Sequence, residues 1–379
     1  MKEKRWVAIA SSIKAAIRGG ELSPGARIPS ESDMAMQWNV SRMTVHQALS
    51  ELQREGWVVR KPKIGTVVAD RSAQPDTKIG LVFTGFIELP QGGYLAGIES
   101  SLTDGYQFIH YNTNADTQEE AKCLVAAASE CSAIICYPIS APENTPLLKK
   151  IAASMPLIFV DRIPQGIDAD VVMSDNFGSM VMGLRHLHAL GHGRIAFFME
   201  DQTTLSSVTD RYAGYQQFMR QEAGVPDPER WVRRIAWDVP WERYYEQVEA
   251  NLIDLLSAPE RGRVTAIACQ QYALLAMVLE VCVNLGVSVP GELALLSFYD
   301  LDARVQPLAR NTHRLIQRSV EMGAIAADRI RRRLIEGELT AQSVCLTAEL
   351  IPADVRHHSP AAQEFIAARL SSAAKSSIS

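Results

Sequence analysis

Residues 28–68 read IPSESDMAMQWNVSRMTVHQALSELQREGWVVRKPKIGTVV, and this stretch decides the architecture of the amino-terminal part of the chain. Pro29, then Ser30 with Asp33 three residues on, predicts a capped helix running to about Trp38. Asn39 and Val40 turn the chain, and Ser41 caps a second helix. In that helix Val45, Ala48, Leu49 and Leu52 fall at i, i+3, i+4 and i+7, which makes one apolar stripe. Arg42, Met43, His46, Gln47 and Ser50 face elsewhere, an outer surface able to donate hydrogen bonds. Gly56 ends the helix, and two β-rich runs at 57–60 and 66–69 flank Lys61-Pro62-Lys63-Ile64-Gly65, the pattern of a hairpin with a basic tip. Two helices three residues apart with such a hairpin beside the second predict a winged helix-turn-helix.

Working outward, Trp6, Ile9, Ile13 and Ile17 lie on one face of a preceding helix stopped by Gly19-Gly20, a support for the other two. Residues 1–70 hold 11 basic and 7 acidic side chains, while the remainder holds 27 and 36. A basic head on an acidic body confines any contact with a polyanion to the head. At 379 residues and 47% hydrophobic content the chain is too long for one core, and two or three domains are expected.

The motifs Pro29-Ser30-Glu31, Val40-Ser41-Arg42, Thr44-Val45, Leu52, Gly56 and Gly65-Thr66 resemble the winged helix-turn-helix of the GntR family of bacterial transcription regulators, over nearly all of residues 1–70. The resemblance implies double-stranded operator DNA as a partner and a contact set of Ser30, Ser41, Arg42, Thr44, His46, Lys61, Lys63 and Gly65. Arg42, in the first turn of the recognition helix, can pair bidentately with guanine, the alternative being an ordinary surface arginine. Ser41, Thr44 and His46 can reach phosphates or base edges, although Ser41 can serve as a cap alone. Gly65 allows close approach of the wing backbone, or is simply a turn glycine. Ser32 and His46 stand where the family commonly has arginines that touch DNA, so phosphate attraction should weaken or the preferred bases change.

Residues 71–77 are polar, contain Pro75 and show no periodicity, which marks a linker. From residue 78, apolar runs at 79–83, 108–111, 133–137, 157–160, 195–199, 265–269 and 293–298 alternate with helical patterns. Strands spaced by helices imply parallel α/β sheets, and so many units suggest two of them. Ile79-Gly80-Leu81-Val82, Gly97-Ile98-Glu99, Gly105-Tyr106, Val160-Asp161-Arg162, Ser174-Asp175-Asn176, His186-Leu187, Gly191-His192, Arg211-Tyr212-Ala213-Gly214-Tyr215 and Ser297-Phe298-Tyr299-Asp300 occur in the order of the LacI family's effector domain, and resemble it. That resemblance implies a two-lobed periplasmic-binding-protein fold at 78–355, before a tail at 356–379 expected to be disordered. A GntR-type head on a LacI-like body is found in a subgroup that includes arabinose-responsive repressors.

Ligands of open α/β sheets bind beyond the carboxyl ends of strands, where Asp161, Gln270 and Asp300 stand. Arg211, which opens a helix, and Asp300 match the family's ligand-binding arginine and aspartate, with a structural salt bridge as the alternative. Phe86 and Trp237 could stack on the apolar face of a sugar ring, or belong to the core. Gln270-Gln271 replaces the family's usual Asn-Asp, so the effector or its pose should differ.

His186, His188 and His192 form no metal set, since i and i+2 diverge on a helix and no Glu or Cys completes one. No catalytic constellation and no cofactor motif is found. Six cysteines without a C-x-x-C pair, no apolar leader and no run near ~18 apolar residues point to a soluble, cytoplasmic protein. The expectation is a homodimeric repressor released from its operator by a small molecule, a monosaccharide or derivative. Its rivals are a solute-binding transport component and an enzyme with an appended regulatory head.

Overall fold

The computed structural model describes residues 5–54, 56–61, 64–69, 77–85, 91–103, 105–201, 205–259, 262–299 and 310–354. Residues 71–76 of the expected linker, the expected tail, Lys63, Phe86 and Asp300 lie outside the described residues. Two compact units result, Met1–Thr77 with Asp104–Gln107, and Lys78–Thr103 with Phe108–Ser379.

The first unit has helices α1 (Arg5–Arg18), α2 (Glu31–Gln37) and α3 (Arg42–Arg54), and hairpin strands β1 (Val58–Lys61) and β2 (Gly65–Val68). The stripe of α3 is buried against Ile9 and Ile13 of α1, Met34 of α2 and Trp57, Val58 and Val68 of the hairpin. The hairpin is antiparallel, with Val58 opposite Val68 and Lys61 opposite Gly65. An extra edge joins it. Gly25 N donates to Val68 O at 2.9 Å, Val68 N to Ala26 O at 2.8 Å and Ile28 N to Thr66 O at 2.9 Å, with Arg27 bridged to Val67. Four residues are too few to show strand alternation in a sequence.

The second unit begins β3 (Thr77–Phe83), α4 (Gln91–Ser101), β4 (Tyr106–Asn112), α5 (Thr117–Glu130), β5 (Ala133–Cys136), α6 (Thr145–Ser154), β6 (Leu157–Val160), β7 (Asp170–Ser174) and α7 (Asn176–Ala189). Thr77, expected in the linker, already opens β3. It continues β8 (Ile195–Glu200), α8 (Ser206–Gln221), β9 (Val232–Ile235), α9 (Trp241–Ser257), β10 (Ala266–Cys269), α10 (Tyr272–Asn284), β11 (Ala294–Phe298), β12 (His313–Ile316), α11 (Ser319–Arg331), β13 (Ser343–Leu346) and β14 (Glu349–Ile351). One six-stranded sheet runs β13-β7-β6-β5-β3-β4 and the other β14-β12-β11-β10-β8-β9. The described registers are parallel except β12 with β14, and strands such as β5, β6, β10 and β11 are buried throughout, as a sheet covered on both faces requires. The two-lobed α/β architecture expected from the sequence is therefore present.

The chain crosses between sheets after β7, after β12 and again after β13. Helix α7 leaves the first sheet and packs on α8 and β12, whereas α11 leaves the second and packs on α4, β6 and β7. The α4–α11 contact is backbone against backbone. A β-carbon on Gly97 would stand 1.9 Å from Val320 O, and one on Gly323 would stand 2.1 Å from Tyr94 O. Buried Asp170, opening β7, accepts from Arg329 Nε at 2.9 Å, Arg333 Nε at 2.7 Å and Gln342 N at 3.0 Å. Full pairing is what makes a buried carboxylate tolerable.

Gly97→Ala should destabilise the second unit by about 1–3 kcal/mol, because two backbones must separate to admit a methyl group. Gly92→Ala, in the same helix with nothing within 4 Å of the new carbon, should be neutral or slightly stabilising. Thermal unfolding of the two full-length variants separates these outcomes, and equal midpoints would contradict the close-packing account.

Candidate functional site

In the head, Ser30 caps α2, accepting from Asp33 N at 3.2 Å and donating to the Asp33 carboxylate at 2.7 Å. Ser41 caps α3 in the same way, accepting from Thr44 N at 3.2 Å, with the two hydroxyls 2.9 Å apart. The hydroxyls of both serines and Thr44 are thus engaged in capping. Arg42, Gln47, Lys61 and Gly65 are exposed. Gly65 has φ +103, a conformation that side-chain-bearing residues rarely adopt, and its ideal β-carbon position is 3.6 Å from Arg27 Nε. This places Arg27 beside the wing, a cation the sequence reading missed because nothing before the fold links position 27 to position 65.

His46 is not a free substitute for an arginine. Its Nδ1 lies 2.9 Å from Glu31 Oε1, and Arg60 Nη2 reaches the same oxygen at 3.2 Å. The recognition helix, α2 and the first wing strand therefore meet at one carboxylate.

In the second unit, Arg211 and Gln270 come together and Asp161 is held elsewhere. Arg211 is 7% exposed and lies in the second turn of α8, not at its opening, since α8 begins at Ser206. Its Nε donates to Asn176 Oδ1 at 2.8 Å, Nη1 to the Gln270 carbonyl at 2.7 Å and Nη2 to Gln317 Oε1 at 3.5 Å. The guanidinium lies 3.7 Å from the centre of the Phe298 ring, a cation–π contact. Ser174 Oγ also donates to Gln317 Oε1, at 2.7 Å. Asn176, Gln270, Phe298 and Gln317 stand at or just beyond the ends of β7, β10, β11 and β12, where such sheets bind ligands.

Asp161, just after β6, accepts from Tyr94 OH at 3.1 Å and Arg162 Nε at 3.2 Å, and Arg162 lies over Tyr137 and bonds its hydroxyl. Asp161 has φ +72 and Ser140, beyond β5, has φ +66. Two non-glycine residues held in the left-handed region near neighbouring strand ends mark strained backbone of the kind that collects at binding sites. Trp237 is half-exposed in the loop after β9.

Glu200, which ends β8, was missed. Its backbone N donates to Gln270 Oε1 at 3.0 Å, and its carboxylate accepts from Gln271 Nε2 at 2.7 Å and Tyr244 OH at 2.8 Å. Burial pushes the Glu200 carboxyl above its usual range, and the bonds from Tyr244 and Gln271 pull it back. The Gln270 amide is consequently spent inside its own lobe, and it is the carbonyl that meets Arg211. A lone carboxylate closing the apolar run at 195–199 was the available signal.

The histidines are accounted for one at a time. His192 Nδ1 is 3.0 Å from Thr265 Oγ1, His188 lies edge-on to Phe218, and His186 Nε2 is 3.0 Å from His313 Nδ1, which also accepts from Ala353 N at 3.1 Å. Among the described residues no group of His, Cys, Asp and Glu could hold a metal ion. Burial, with His186 and His192 nearby, lowers His313 to about 4. Between that value and the ordinary 6.5 the unfolded chain binds the extra proton, so stability falls as pH falls through this window. Moving from pH 7 to pH 5 should cost the wild type about 2 kcal/mol more than His313→Asn, whose amide oxygen can still accept. Urea unfolding of both proteins at the two pH values measures the difference, and parallel losses would contradict it.

Residues 7–68 match the family described as bacterial regulatory proteins, gntR family, and residues 184–354 match the periplasmic binding protein-like domain. An arabinose metabolism transcriptional repressor of Geobacillus stearothermophilus is 30% identical over 313 residues, 79% of this chain and 84% of that protein. A protein of the same name from Halalkalibacterium halodurans is 26% identical over 380 residues, 94% of this chain and 96% of that protein. Among solved structures, transcription regulator CcpA of Lactococcus lactis is similar with a TM-score of 0.62 at 21% identity, over 73% of this chain and 97% of that one. The transcriptional regulator CelR–cellobiose complex gives 0.61 at 19% identity, over 86% and 98%. At such identities these structures show the shared fold alone. With head, body and relatives in agreement, the chain belongs to the GntR-headed transcription regulators that carry a LacI-like, periplasmic-binding-protein-type body, the family of the arabinose metabolism repressors.

Proposed function

We propose that this regulator is a cytoplasmic homodimeric repressor whose body binds a monosaccharide, a pentose such as arabinose being the first to test, and thereby loosens its hold on operator DNA. The observation that carries the reading is the setting of Arg211, bonded at once to Asn176, which follows β7 of one sheet, and to Gln270 and Gln317, which follow β10 and β12 of the other. A ligand that takes over some of those bonds acts on both lobes together, and lobe closure is a recognised route to switching. Guanidinium, carboxylate and amide groups around aromatic faces suit sugar hydroxyls and the apolar ring faces between them. The names of the relatives support the pentose. No chemical step is needed, so the protein works by binding.

The contact residues proposed for the operator are Arg42 and Lys61, with Lys63 and Gly65 at the wing, and those for the effector are Arg211, Asp161, Gln270, Trp237, Phe86 and Asp300. Arg42→Ala should lose about 1–3 kcal/mol of operator binding without loss of folding, since it removes an exposed side chain. Lys61→Ala should weaken binding to all sequences alike and reduce the salt slope by about one. Gel-shift titrations over a range of salt decide between base and phosphate roles.

Adding L-arabinose should lower operator affinity, and Arg211→Ala should keep operator binding while losing that response. A tenfold effect of sugar on DNA binding demands a tenfold effect of DNA on sugar binding, about 1.4 kcal/mol of coupling. Tighter operator binding with sugar present would reverse the proposed direction.

A further inference from the structure

Helix α3 carries one side chain that neither the core nor the hydrogen-bonding surface uses. Met43 is 74% exposed, while Val45, Ala48, Leu49 and Leu52 of the same helix are 1% exposed or less. At about 100° per residue, Met43 stands roughly 180° around α3 from the middle of that buried stripe. Among the described side chains of α3 it stands farthest around the helix from the core, and so enters most deeply a groove in which the first turns of α3 lie. It also belongs to the first turn, the part of a recognition helix that meets base edges.

Arg42 before it and Gln47 one turn later are also exposed, so donors flank an apolar centre. A thioether has no N–H or O–H to offer. In the major groove the feature an apolar side chain can read is the 5-methyl group of thymine. A second copy of the head is the poorer occupant of this surface, because residues 1–70 carry 11 basic against 7 acidic side chains and two such heads repel, whereas a duplex attracts them.

We infer that Met43 is a base-reading residue that packs on the 5-methyl group of a thymine in the operator, and that an A·T pair is preferred at that position. The inference rests on the head laying α3 in the major groove. The test begins with duplexes selected from a random-sequence library by the full-length protein. Each thymine of the enriched half-site is then replaced by deoxyuridine, which removes the methyl group and leaves the pairing edge intact.

At one position wild-type affinity should fall about fourfold, the equivalent of one buried methyl-sized group at about 0.8 kcal/mol. Met43→Ala, an exposed substitution that spares the core, should bind the thymine duplex less tightly by a similar factor and no longer distinguish thymine from uracil there. Equal discrimination by both proteins, or none by either, overturns the assignment. So does a change of association state in Met43→Ala with thymine preference intact, which would give the surface to a second copy. A library that yields no enriched sequence overturns the head's role and that of Met43 with it.

Discussion

Ser174 and Gln317 are joined side chain to side chain at 2.7 Å where the chain passes from one sheet to the other, and both are buried. Ser174 ends β7 of the first sheet and Gln317 follows β12 of the second, so one bond ties together the carboxyl ends of both sheets. Arg211 is set against the same Gln317 oxygen, with Asn176 and the Gln270 carbonyl on its other nitrogens and the Phe298 ring on its face. A buried guanidinium without such partners would cost several kcal/mol. Its position is therefore fixed by the crossing, and a change in its partners is felt by both sheets.

The crossing can transmit such a change only if the helices leaving it are stiff. Glycines bring α4 and α11 into backbone contact at Gly97 and Gly323, and Asp170 gathers Arg329 and Arg333 from the end of α11 and the turn after it onto the start of β7. Arg329 also donates to Glu338 at 2.8 Å. Close-packed interfaces of this kind repack between discrete arrangements more readily than they deform, which suits a switch.

Strands β3, β4, β5, β6, β8, β10 and β11 and most of their crossovers were legible from the sequence, because apolar runs such as those of β5, β6 and β11 have no other use in a chain of this length. Strands β7, β9, β12, β13 and β14 were not: VRRI, SVCL and ELI lie at sheet edges and are short or polar, and the interior strands DVVMS and HRLI are short runs interrupted by Asp170 and by His313 and Arg314. Helix α6 was also missed, with Pro146 in its first turn, where proline is tolerated but reads as a breaker. Within the site, Arg211 was visible through resemblance and Gln270 through its place directly after a strand. Glu200, Asn176 and Gln317 were not, because their roles arise only when strand ends distant in sequence meet.

The head shows how a contact can alter the meaning of a substitution. His46 cannot donate through Nδ1 to Glu31 and at the same nitrogen accept from Arg60, and a carboxylate 2.9 Å away favours the N–H form. Arg60 then pairs with Glu31, and Arg27, Arg42 and Lys61, which make no ion pair among the described residues, remain to attract a polyanion. Replacing an arginine by a histidine removes at most about one counterion's worth of attraction from such a set. It removes all bidentate recognition at that position, because an imidazole tied at Nδ1 has a single nitrogen left to present. On the proposed operator contacts, a changed base preference is the larger of the two expected consequences and a weakened grip on phosphate the smaller.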